Sequence, residues 1–210
     1  MRITAIAAVF CAIGMSLTYA AFTANPPAPA QTIGVVNVNK VMDMYDKAKE
    51  AKTELDTMKK RAEERLQTAS MHRLLTKAET LELITLLEKD KPTTAQQSRT
   101  AALKDLDKTR EAQLKAVQAA KSPSDQQKQE LRDFQGYINQ SAEAIQEKIK
   151  AYQKTYADRN SLLTIQVAKD VKAAVAAVSL EKNTPMALNQ DAVIQGGTDL
   201  TDAVIAKLKK

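Results

Sequence analysis

The spacing of apolar residues changes character several times along this chain. In the run from Ile33 to Val38, Ile33 and Val35 fall on one face and Val36 and Val38 on the other. Apolar residues on both alternating faces predict a short strand covered on both sides. Asn39 is placed to cap a following helix. From Val41 the period lengthens. Val41, Tyr45, Ala48, Ala51, Leu55, Met58, Ala62, Leu66 and Ala69 recur at steps of three and four, a coiled-coil seam of about four heptads. The flanks of this stripe are filled with Lys, Arg, Glu and Asp.

The middle is interrupted. Thr76-Lys77-Ala78-Glu79 has the form of a capping box opening a new or kinked helix through Leu87. Lys91-Pro92-Thr93-Thr94 is a break, followed by a helix to about Ala120. Lys121-Ser122-Pro123-Ser124 is a second break, with Pro123 expected in the first turn of the next helix. That last long helix runs from about Asp125 to Leu180. Its stripe includes Leu131, Phe134, Ile138, Ile145, Ile149, Tyr152, Tyr156, Leu163, Val167, Val171, Ala174 and Val178. Such a helix reaches about 80 Å. The outgoing segment, 40–90, is of similar length, so the two are expected to form an antiparallel hairpin. The pattern leaves open where the helix between Pro92 and Pro123 lies.

Asn183-Thr184-Pro185 ends the long helix. Met186-Ala187-Leu188 and Ala192-Val193-Ile194 read as two short strands, Gly196-Gly197 as a turn. Asp199-Leu200-Thr201-Asp202 then caps a final helix with Leu200, Val204, Ile205 and Leu208 on one face. The fold class is therefore mainly α with a small β part: a long antiparallel helical hairpin, 40–182, on a small β-containing base made from 32–39 and 183–210. An interrupted tip occupies about 70–135.

Composition sharpens this picture. Aromatic residues are 4% of the chain and Trp is absent, which implies a thin core and a need for partner subunits. The expected oligomerisation residues are Ile33, Val35, Val36, Val38, Met186, Leu188, Val193, Ile194, Leu200, Val204 and Ile205. The net charge is +6, with both signs interleaved along the helices. That pattern fits a solvated surface that also attracts acidic polypeptides or anionic lipid surfaces.

The chain opens on Met1-Arg2 and an almost wholly apolar or small run over 3–21, the form of an export signal at 1–20 cleaved after Ala20, with Ala24 as the alternative site. A retained leader would instead anchor the chain in a membrane. The segment 21–31 reads as a stiff Pro-rich linker. Export argues against nucleic acid as a partner. The one cysteine, Cys11, lies in the leader, and His72 is expected as an exposed helix residue. There is no Gly-rich phosphate loop, nucleophile elbow or metal-ligand cluster, so neither catalysis nor a cofactor is expected. Glu82, Glu88 and Asp90 read as surface groups.

Two stretches carry a resemblance. Residues 33–41, IGVVNVNKV, and 191–205, DAVIQGGTDLTDAVI, resemble the opening strand and closing strand–turn–helix of the Skp/OmpH family of periplasmic chaperones. The resemblance implies a trimer, joined through a small β core, whose helical tentacles enclose unfolded outer-membrane or envelope proteins without ATP. Parts of the Ala- and Met-bearing helix faces would line the cavity, with Lys and Arg along its rims. The interrupted middle departs from the family's simple hairpin, and no family ligand residues transfer to it. A membrane-anchored coiled-coil tether is the alternative expectation.

Overall fold

A computed structural model describes residues 32–209. The expected leader and Pro-rich linker lie outside them. Strand β1 (Ile33–Val36) opens the described chain, and β2 (Met186–Asn189) and β3 (Thr198–Asp199) come from its far end. β1 sits between the other two, parallel to both. Ile33 faces Met186 and Val35 faces Leu188 on one side, while Gly34 faces Thr198 on the other. A central parallel strand is covered on both faces, which explains its apolar run.

Two glycines allow this sheet to close. A Cβ at Gly34 would collide with the Leu200 side chain, which packs across the strand. Gly197 has φ +96°, and a Cβ there would strike Val35 and come within 3.2 Å of the Ile33 carbonyl. Beyond them, the Asn37 amide donates to Thr201 Oγ1 at 2.9 Å, a bond between the two ends of the chain.

Several sequence expectations change here. Ala192-Val193-Ile194 is not a strand. Gln190–Ala192 form a 3-10 turn, the Val193 amide donates to the Gln190 carbonyl, and Ile194 is fully exposed. The third strand is Thr198–Asp199, past the glycine pair, where two polar residues give no apolar alternation. The helix cap is Asn37 and not Asn39, because β1 already stops at Val36. The Asn37 side chain accepts from the Lys40 amide at 2.8 Å.

The long outgoing helix is also divided. Helix α1 (Val38–Met44) ends at Tyr45, whose φ −86° and ψ 118° are extended, and α2 (Asp46–Ser70) follows. The seam passes through this break because Tyr45 is still buried. Helix α3 (Lys77–Leu87) follows a further reversal, then α4 (Thr94–Gln118) and α5 (Asp125–Glu181). All three start at complete capping boxes: Thr76 with Glu79, Thr93 with Gln96 and Ser124 with Gln127. Because Ser124 is the cap, Pro123 precedes the helix and does not occupy its first turn. The 57 residues of α5 span about 85 Å. At its end Asn183 takes φ 52°, and the Thr184 amide reaches back to the Ser179 carbonyl, a left-handed stop. Helix α6 (Thr201–Leu208) closes the chain against α1 and α5.

Tyr45 meets Asp170 and Glu54 meets Arg159, so numbering rises along α2 as it falls along α5 and the two helices are antiparallel. The base core joins Val36, Val41, Tyr45, Val167, Val171, Val178, Leu200 and Val204. Two further clusters lie at the other end of the hairpin. One joins Leu74, Leu114 and Phe134, the other Leu75, Leu83 and Leu103. Helix α3 packs on α2, α4 and α5. Small buried residues on α2, α3 and α5 (Ala69, Thr80, Ser141 and Ala144) suit close helix approach. The helix the sequence left unplaced, α4, thus completes a tip with its own core.

Polar bonds fix that tip. Arg110 donates to the Leu74 carbonyl at 2.9 Å and to Glu79 at 2.6 Å, and its guanidinium lies 4.5 Å from the centre of the Tyr137 ring. Buried Asp107 accepts from the Leu74 amide at 2.8 Å and lies 3.1 Å from His72 Nδ1. His72 is therefore neither helical nor freely exposed. It sits in the α2–α3 reversal, held against α4.

Gly197→Val should destabilise the protein by at least about 2 kcal/mol, from left-handed backbone strain and overlap with Val35. A urea-midpoint shift checks this. Burial pushes the Glu79 carboxyl up, but bonds from Arg110 and Thr76 outweigh it and hold the group below the usual glutamate range. A depressed carboxylate stabilises the fold above its unfolded range and loses that contribution as pH falls. Amide protection factors in α3 and α4 should thus be high at neutral pH and fall below about pH 4. Glu79→Gln should remove that acid-dependent step. Arg110→Ala, which strips the Leu74 carbonyl and Glu79 of a donor, should cost about 2 kcal/mol.

Candidate functional site

The residues expected to join subunits separate into three groups. Val35, Val36, Leu200, Val204 and Ile205 are buried inside the base of this one chain. Val38 and Val193 are half-buried. Ile33, Met186, Leu188 and Ile194 are exposed. The outer edge of β2 has no strand partner among the described residues, and an unpaired edge is a template for another chain. Beside it runs an apolar groove lined by Val38, Val171, Val175, Leu180, Ala187 and Leu188.

Sequence reasoning missed Val175 and Leu180. The single stripe assigned to α5 included Val171, Ala174 and Val178, and a second apolar row one step round the helix was the available signal. Met42 and Met44 are also exposed on α1, with Met42 beside a groove that continues through Ala48, Leu55, Leu163 and Val167.

Between base and tip the hairpin is two helices thick. No residue of 52–68 on α2 or 145–162 on α5 is buried. Two helices have only one mutual seam, so apolar residues on it keep one flank open to solvent. Met58, Ala62, Leu66, Ile149 and Tyr152 are half-buried there and Tyr156 is exposed. The Lys- and Arg-rich flanks of α2 border this seam.

Polar ties hold the arm at three levels. Nearest the base, the Tyr45 hydroxyl donates to Asp170 at 2.6 Å and Lys47 reaches the same carboxylate at 3.0 Å. These two bonds hold Asp170 below the usual aspartate range. Burial, together with Asp170, pushes Tyr45 up. Next, Arg159 donates to both oxygens of Glu54 at 2.6 and 3.0 Å, which keeps Glu54 low. At the tip end, Arg65 donates to the Leu87 and Glu88 carbonyls at 3.1 and 3.4 Å, capping the C-terminus of α3. The Glu88 carboxylate accepts from Tyr152 at 2.8 Å and Lys148 at 3.1 Å. Burial raises Glu88, these donors outweigh it, and its carboxyl is held low. Tyr152 is pushed up by burial and by the Glu88 charge.

The carboxylates singled out from the sequence are matched to cations. Glu82 forms a bidentate pair with Arg99, both contacts at 2.7 Å, and Asp90 lies 3.3 Å from Arg61. Glu88 is more than the surface group it was expected to be, since it locks the tip to the arm. Among the described residues no group of three or more His, Cys, Asp or Glu side chains could hold a metal ion. What the surface offers is apolar grooves with charged rims, a chemistry of binding.

No curated protein and no solved structure matches the chain. The family model described as outer membrane protein (OmpH-like) matches residues 32–208. Proteins of this family are periplasmic chaperones of outer-membrane proteins. The match runs from β1 through both arm helices and the tip to α6, and the chain belongs to the OmpH-like family.

Proposed function

We propose that this protein is an ATP-independent holdase of the periplasm that keeps unfolded outer-membrane or envelope proteins from aggregating. One observation carries the mechanism: an arm whose seam, over 52–68 and 145–162, contains no buried residue. A half-exposed apolar seam offers many shallow contacts. Each is weak, and several arms acting together hold an unfolded chain by avidity. Thioether and small side chains such as Met58 and Ala62 suit contacts that do not select one sequence. Positive charge on the rims speeds capture of acidic segments. Binding of this kind needs no catalytic group and no nucleotide.

Three such arms would enclose a client if the base assembles as a trimer. The free edge of β2, the exposed Met186 and Leu188 and the groove beside them support assembly through this side of the base. Among the described residues no helix is long and apolar enough to cross a membrane.

Mixing the chain from Ala21 onward with a urea-unfolded outer-membrane β-barrel protein during dilution tests the proposal. Light scattering should fall without ATP. Unchanged aggregation by a folded, assembled protein would contradict it and favour an envelope scaffold. For assembly, Leu188→Glu combined with Met186→Glu should convert trimers into monomers in native mass spectrometry while the helical circular dichroism is retained. An unchanged assembly mass would place the interface elsewhere. Val36 is unsuited to this test, because a charge at that buried position would unfold the base.

A further inference from the structure

Within the arm, one part of the seam is bordered by polar ties. The Glu54–Arg159 pair lies at its base end, and the cluster of Arg65, Glu88, Lys148 and Tyr152 flanks its tip end. From the first towards and past the second runs a groove lined by Met58, Ala62, Leu66, Ile149, Tyr152 and Tyr156. Along α2 the stretch from Glu54 to Arg65 rises about 16 Å, the length of about five residues in extended conformation. On its α2 wall, nearer the tip end, stands Ala62, whose small side chain leaves the groove open.

We infer that this groove is a binding slot for a short extended segment of an unfolded polypeptide, with alternating apolar side chains and acidic flanks. The inference rests on the chaperone function proposed above and locates one discrete contact within it. In an extended chain, side chains i, i+2 and i+4 share a face, so about five residues offer three apolar groups to a slot of this length. A helix fits less well. Over about 16 Å it would have only three turns, a length marginal in isolation, and the Glu54–Arg159 pair would stop its apolar stripe from continuing towards the base.

The acidic preference follows from the rim. Lys59, Arg61 and Arg65 border the groove against one carboxylate, Glu63. Lys59 lies 3.9 Å from Glu63, and the Arg61–Asp90 pair is solvent-exposed. Arg65 donates to backbone carbonyls. Counted with their neighbours, four cations (Lys59, Arg61, Arg65 and Lys148) face three carboxylates (Glu63, Asp90 and Glu88), so the rim keeps a positive excess.

The test uses the chain from Ala21 and a fluorescein-labelled peptide of about ten residues, with alternating Val and Thr between Asp flanks. Anisotropy should report binding that Ala62→Leu, by filling the slot without changing charge, weakens by at least about tenfold. Helical circular dichroism should be retained, since the new side chain faces the groove. A Lys-flanked peptide should bind more weakly than the Asp-flanked one. The double variant Lys59→Gln with Arg61→Gln should erase that difference.

As a readout independent of stability, benzoylphenylalanine in place of Ala62 should crosslink the peptide. The same group in place of Lys60, on the solvated face, should not. Equal crosslinking from both positions, or equal binding by Ala62→Leu, overturns the inference. So does tighter binding of a peptide of the same composition reordered to a helical period, which would point to a helical partner. Aggregation assays separate the two proposals. Suppression by the wild type together with an unaffected peptide affinity in Ala62→Leu sinks the slot alone. Slot-dependent peptide binding without suppression sinks the holdase alone.

Discussion

The fold depends on one closure: a strand from the start of the described chain lies between two strands from its end. β1 has no sheet until β2 and β3 arrive, roughly 150 residues later in the chain. The closure is tight. Leu200 packs where Gly34 lacks a side chain, the Gly196-Gly197 turn passes over Val35, and Asn37 bonds to Thr201. With both ends pinned side by side, everything between them must leave the base and come back. The antiparallel pairing of α2 with α5 is the helical consequence of that sheet.

Projection has a physical cost that the arm displays. A helix in a three-layer packing buries an apolar stripe wide enough to need neighbours on two sides. In the middle of this hairpin each helix has one neighbour. The seam there holds together through the Glu54–Arg159 pair and partial apolar contact, while the base and tip have buried cores. The tip core gives the far end of a thin arm an anchor of its own, and Arg65 and Glu88 tie that anchor to α2 and α5. Stability is thus concentrated at the two ends, and the proposed binding surface lies where packing is least complete.

Much of this was legible in the residues because the signals were local. The three-four stripe of α5 runs almost unbroken from Leu131 to Val178, and its bounds follow from Ser124 and Asn183. The Thr76–Glu79 box announced α3. Signals failed where long-range contact decides the outcome. Tyr45 continues the heptad pattern and yet breaks the helix, since its hydroxyl is drawn to Asp170 from another element. Thr198–Asp199 became a strand through register with β1 and not through its own polar pattern, while the more strand-like Val193 and Ile194 were left in a turn. Likewise, nothing near His72 in sequence marks Asp107 as its neighbour. Among the expected assembly residues, apolar character alone did not divide Val36 and Val204, spent inside the chain, from Met186 and Leu188, left on its surface.

Hydrogen exchange of the assembled protein, with and without a bound unfolded β-barrel client, bears most directly on the central claim that the arm is the binding element. The account predicts that client slows exchange over 52–68 and 145–162, the two sides of the half-buried seam, and leaves the already protected base strands unchanged. Slowed exchange confined to the base or the tip, with the arm unaffected, would contradict it.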